Sequence, residues 1–177
     1  MGTRHFIGVK QNGEFKVAQY GQWDGYPSGQ GADILEFLNS VNLAAFAEKV
    51  SKCVFIDGDN IRQKYIAVGR DPEDNSPFVS MEISNKFAKA YPQLSRDTGA
   101  KVLTMVMEAE DGLELCDSSD FLEDGLFCEY AYIIDLDEQK LLCYSAGNEH
   151  KWGEYPLDAL PDVKQMEKDS YGNEEAE

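Results

Sequence analysis

Two apolar runs, His5 to Val9 and Phe15 to Tyr20, are separated by the tetrapeptide Gln11-Asn12-Gly13-Glu14. Asn-Gly accepts positive φ at both central positions of a two-residue turn, the twist that lets flanking strands close into an antiparallel hairpin. No other feature constrains the chain as strongly. It predicts a ladder that carries Arg4 and His5 close to the stretch from Tyr20 to Gln22.

A second hairpin is legible in LFCEYAYIIDLDEQKLLCYS: a strand from Leu126 to Leu136, a polar turn at Asp137 to Gln139, and a returning strand from Lys140 to Ser145. Between the hairpins the apolar period is helical. Ile34, Leu35, Phe37, Leu38 and Val41 recur on one face, and Leu43, Phe46, Ala47 and Val50 do so beyond Asn42. Asp59 is placed to cap a third helix carrying Ile61 and Tyr65, and Asp71 to Pro77 reads as a polar loop. Ile83, Phe87 and Tyr91 keep a four-residue step, and Val102, Leu103, Val106 and Met107 predict a helix beginning near Asp97 or Thr98.

These elements predict an α+β fold, an antiparallel or mixed sheet built from N- and C-terminal hairpins with the helical middle packed on it. A single globular domain over residues 1–163 suits the length of 177 residues and the 42% hydrophobic content. Residues 164–177 carry five acidic and two basic side chains and few apolar ones, and read as an acidic, disordered tail whose removal leaves the core intact.

The charge balance, 16 basic against 33 acidic residues for a net −17, argues against nucleic acid and anionic membranes as partners. It suits solubility, or the steering of a basic protein, including mimicry of DNA toward one. Cys53, Cys116, Cys128 and Cys143 show neither CxxC pairing nor zinc-finger spacing to a histidine, so no metal is expected. Three of them adjoin large apolar residues, the pattern of buried reduced thiols. With no signal-like or membrane-length apolar run, a cytoplasmic protein is expected, and a nuclear one is not excluded.

The second strand of the first hairpin runs into QYGQWDGYPSGQG, Gln19 to Gly31, which is dense in turn formers. Tyr20, Trp23 and Tyr26 could wall a small pocket, with Gln22, Asp24 and Gln30 selecting a ligand by hydrogen bonds. Equally, Trp23 and Tyr26 could pin the loop to the sheet while Asp24 closes an Asx turn. The end of the loop, Ser28-Gly29-Gln30-Gly31, enters a helix at about Ala32, where free N–H groups of Gly29, Gln30 and Gly31 could receive a phosphate or carboxylate. It is neither a Walker A sequence nor a dinucleotide fingerprint, and no cofactor is expected.

His5 and Glu129 are the candidates for general acid–base work. His5 titrates near neutrality, and Glu129 falls in step with Ala131 and Ile133 on a strand face, where a carboxylate must be paired, exposed at an edge or protonated. Arg4 is the natural partner for Glu129. No ordered Ser/His/Asp set, HExxH motif or EF-hand loop accompanies them.

GTRH, FKVAQYGQWDGYPSGQG and LFCEYAYIIDLDEQKLLCY together resemble a family of uncharacterised bacterial, phage and fungal proteins. The resemblance covers Gly2 to Gly31 and Leu126 to Tyr144, and implies that Arg4, Trp23, Asp24, Gly25 and Tyr26 belong together. A fainter resemblance is to N-terminal nucleophile hydrolases, which open with a hairpin and need Cys, Ser or Thr first. Here removal of Met1 exposes Gly2, and only further trimming exposes Thr3.

The sequence therefore leads first to a protein that binds a small polar or phosphorylated molecule through Gln19 to Gly31, using Arg4, Tyr20, Gln22, Trp23, Asp24, Tyr26, Gly29, Gln30 and Gly31. The alternatives are a metal-independent amide or phosphoester hydrolase using His5 or Glu129, and a protein-interaction module with an acidic surface.

Overall fold

The computed structural model describes residues 2–172. The first hairpin is formed by β1 (His5–Gln11) and β2 (Glu14–Gly21), and its turn has φ 57° at Asn12 and 78° at Gly13. Both values are positive, as the Asn-Gly signal requires. β1 also pairs in parallel with β5 (Tyr130–Asp135), which is followed antiparallel by β6 (Lys140–Ser145) and β7 (His150–Pro156). The sheet order is β2-β1-β5-β6-β7, and a separate parallel pair joins β3 (Val54–Phe55) to β4 (Glu114–Leu115). The architecture is thus α+β with a mixed sheet.

The two hairpins are clasped at their turns. Asp137 accepts from the N–H groups of Asn12 and Gly13, 2.9 Å each, through its two carboxylate oxygens. These two bonds hold its carboxyl below the usual carboxylate range.

Alternation along the strands sorts the core into two unequal layers. Ile7, Val9, Val17, Tyr132, Ile134 and Leu141 face the helices α1 (Ala32–Ser40), α2 (Leu43–Ser51) and α5 (Lys101–Glu108), which bring Ile34, Leu35, Phe46, Val50, Leu103 and Val106. Phe6, Ala18, Ala131 and Ile133 face the other way, onto Leu122 and Cys128 of an irregular segment. α3 (Gly58–Ala67) and α4 (Met81–Ala90) stand at the margin, joined by the stacked rings of Tyr65 and Phe87 at 3.9 Å.

Asn42 separates α1 from α2 by capping the second helix through Ala45 N. The cap of α3 is Asp57, not Asp59: its carboxylate accepts from Asn60 N, and Asp59 lies in the first turn. α5 begins at Lys101 rather than near Asp97, because Asp97 and Thr98 belong to a segment held against the loop.

Two larger corrections concern the C-terminal third. The strand expected from Leu126 starts only at Tyr130, since the Asp124 carboxylate accepts from Leu126 N and Phe127 N and turns the chain there. The residues 164–172, expected to be disordered, lie in α6 (Val163–Gly172), where Met166 is fully buried in the main core. Asp162 caps this helix through Gln165 N, and Tyr155 of β7 donates to Asp169 at 2.6 Å. Residues 173–177 of the expected tail lie outside the described residues.

Candidate functional site

The Gln19 to Gly31 segment leaves the sheet at Gly21, turns through Asp24 at φ 57°, and enters α1 by a π-helical turn over Pro27–Gly31. Much of its main chain is bonded within the protein. Gly25 N donates to Thr3 O, Gln30 N to Asp24 O, and Gly29 N and Gly31 N to Tyr26 O. The N–H groups of Gly29, Gln30 and Gly31, expected to be free for an anion, are therefore already used. From below, the buried Tyr132 donates its hydroxyl to Gly25 O at 2.7 Å and lies against Gly31.

The side chains of Gln19, Gln22, Asp24 and Gln30 are engaged in the same way. Gln22 accepts from Tyr20 Oη, and Asp24 accepts from Tyr26 Oη at 3.1 Å rather than closing a turn on its own backbone. Gln30 donates to Trp23 O at 3.2 Å and accepts from Ala100 N at 2.8 Å, just ahead of α5. Gln19, buried, donates to Gln93 O and Ser95 O. The hydrogen bond to the Asp24 carboxylate holds the Tyr26 phenol above its ordinary pKa.

The outward surface is aromatic. Trp23 is 44% and Tyr26 40% exposed, with the indole N–H of Trp23 fixed on Asp97 Oδ1 at 2.6 Å. Asp97 also lines an open groove of about 610 Å³ that includes Tyr65, Met81, Phe87, Leu94 and Arg96. The segment carrying Asp97 is itself tied to the loop, because Gln22 N donates to Arg96 O at 3.0 Å. Trp23 therefore stands beside the groove, and two further apolar residues, Phe78 and Met81, are exposed just before and at the start of α4. Nothing local in the sequence joins Asp97 to Trp23. The apolar pair around the Ser80 cap is the one signal there for the groove.

On the other face, Arg4, Tyr20, Phe121, Asp124 and Phe127 line a shallower cleft of about 310 Å³. Tyr20 meets Phe121 edge to face at 4.7 Å, and the Arg4 guanidinium lies 5.3 Å from the Phe127 ring centre.

Glu129 is not on an apolar strand face. It precedes β5, is exposed, and its carboxylate accepts from the backbone N–H of Arg4 at 2.9 Å, while Glu129 N donates to Arg4 O. His5 is fully buried opposite Gly21, as the hairpin register requires, and neither ring nitrogen makes a hydrogen bond. Burial lowers its pKa to about 4, against weaker opposing effects of the Trp23 backbone, close enough to act on the ring but outside hydrogen-bond geometry, and of the Asp24 charge. His5 is thus neutral at pH 7 and shares no hydrogen bond with Glu129.

All four cysteines are free thiols, and burial pushes Cys128 up to about 12, far from the reactive range. Among the described residues no group of three or more His, Cys, Asp or Glu side chains could hold a metal ion, and no helix is long and apolar enough to cross a membrane. Comparison with family models, with curated proteins and with solved structures finds no match to any of them.

Proposed function

We propose that this protein is an interaction module, whose Trp23 and Tyr26 rings and adjoining groove receive an apolar segment of a partner protein that carries lysine or arginine. The supporting observation is the division of labour in the Gln19 to Gly31 loop: the N–H groups of Gly25, Gly29, Gln30 and Gly31 and the side chains of Asp24 and Gln30 are engaged internally, while two rings stay on the surface in fixed orientations. A rigid exposed aromatic gives contact area at little entropic cost, and for that reason such residues dominate binding surfaces.

Charge selects the partner. Each ring donates its polar hydrogen to a carboxylate at its edge, Trp23 to Asp97, which also lies 3.9 Å from Arg96 Nε, and Tyr26 to Asp24; both bonds add electron density to the ring faces and suit them to a cation. The excess of 33 acidic over 16 basic residues steers a basic chain toward the protein over a longer range. Aliphatic side chains of the same segment would fill the groove over Phe87 and Leu94.

A short synthetic peptide of alternating Lys and Leu pairs, titrated against the Trp152→Phe variant so that Trp23 is the sole tryptophan whose fluorescence is followed, tests the reading. Saturable quenching that weakens with salt and vanishes when Glu replaces Lys supports it. Equal response to the acidic peptide contradicts it.

A further inference from the structure

We infer that the cleft around Arg4 is a binding site for a free aromatic amino acid. The cleft holds one cation and one anion, Arg4 and Asp124, that line the same space, and no ion pair between them is found among the described residues. Among the arginines, Arg70 and Arg96 each lie 3.9 Å from a carboxylate and Arg62 donates to main-chain oxygens, whereas Arg4 has neither kind of contact among the described residues.

The neighbouring carboxylates have other work. Glu129 accepts from the Arg4 backbone N–H through Oε2. Asp124 accepts from Leu126 N and Phe127 N through Oδ1 alone, which leaves Oδ2 with no bond from the protein among the described residues. The guanidinium makes no hydrogen bond or ion pair among the described residues, and its contact is with the Phe127 ring.

An α-carboxylate and an α-ammonium on one carbon meet such a pair of groups, the carboxylate through the planar guanidinium fork and the ammonium through the free carboxylate oxygen. The remaining walls are Tyr20, Phe121 and Phe127, which suit a flat ring as the side chain. The volume of about 310 Å³ lies at the small end of ligand sites, in keeping with a single amino acid. The site is distinct from the Trp23 surface and does not depend on the reading given to that surface.

Calorimetric titration of the full chain with L-phenylalanine, L-tyrosine and L-tryptophan tests the assignment, with hydrocinnamate lacking the ammonium and phenethylamine lacking the carboxylate. Saturable binding of at least one amino acid is expected. Each analogue, and each of the variants Arg4→Gln and Asp124→Asn, should bind about tenfold more weakly, the effect of losing one charge-assisted bond. Both variants keep the main-chain contacts of the site, and an unchanged melting temperature verifies this. If a variant melts early, the analogue series on the wild type decides. No saturable binding of any of the three, or equal affinity for the analogues, overturns the proposal.

Discussion

The His5 imidazole occupies the space that a side chain at Gly21 would need: a Cβ built there would lie 2.0 Å from His5 Cε1 and 2.1 Å from Nε2. The two residues face each other across the β1–β2 ladder, where the loop begins. Gly21→Ala must therefore displace the ring or the strand. Overpacking of this kind costs about 1–3 kcal/mol, and so close an approach belongs at the upper end. Chemical denaturation should show that loss, and the double variant His5→Ala/Gly21→Ala should recover part of it. Additive losses would mean that the two residues do not share the space.

The same burial makes stability depend on pH. His5 has a folded pKa of about 4 against the ordinary value of 6.5. Between these values the unfolded chain binds a proton that the folded chain does not, so stability rises with pH through this window. The contribution is fully present above about pH 6.5 and is lost as the pH falls toward 4, amounting to about 3 kcal/mol. In His5→Leu, urea denaturation at several pH values should show a shallower decline by that amount. It should also show equal or greater stability at pH 7, since a buried ring without partners is gone. An unchanged pH slope would count against the assignment.

The docking of α6 is the third expectation. Met166 is fully buried, and its truncation to Ala should cost about 2–5 kcal/mol. Ending the chain after Asp162 should lower the melting temperature by more than the point variant does. A truncated chain that melts like the full one would return this helix to the status of a tail.

That helix shows where sequence reading stops. Asp162 and Gln165 form a capping pattern ahead of Met166, yet charge and the small number of apolar residues dominate the segment. β7 leaves little trace for a related reason: His150, Lys151 and Glu154 are solvent-facing, and only Trp152 and Gly153 are buried, so no run of alternation stands out. By contrast Asn12-Gly13 and the Asn42 cap act within a few residues, and both are legible. The candidate site divides along the same line. The sequence offers Trp23 and Tyr26 as walls of a pocket or as pins of the loop, and the partner that fixes Trp23 lies 74 positions away. Local spacing carries no information on that contact, nor on Glu129, whose strand parity fails because Asp124 turns the chain first.

Trp23 owes its orientation to Asp97. Asp97→Ala should leave the fold intact, because the pair is exposed and such bonds contribute about 1 kcal/mol. In a Trp152→Phe background, where Trp23 is the sole tryptophan, it should nevertheless red-shift and broaden the emission and weaken binding of a basic peptide, whereas Asp97→Asn, which keeps the acceptor oxygen, should retain more of it. Identical affinities for wild type and Asp97→Ala would show that orientation of the indole is immaterial.

The docking surface formed by Trp23, Tyr26 and the groove at α4 is tested most directly by selection from a displayed random-peptide library. Wild type, Trp23→Ala and Met81→Asp are run in parallel, with matched melting temperatures. Sequences that combine Lys or Arg with aliphatic residues should be enriched on the wild type, and that enrichment should be lost on both variants. Enrichment of acidic sequences, enrichment that survives in both variants, or no enrichment at all would contradict a docking role for this surface.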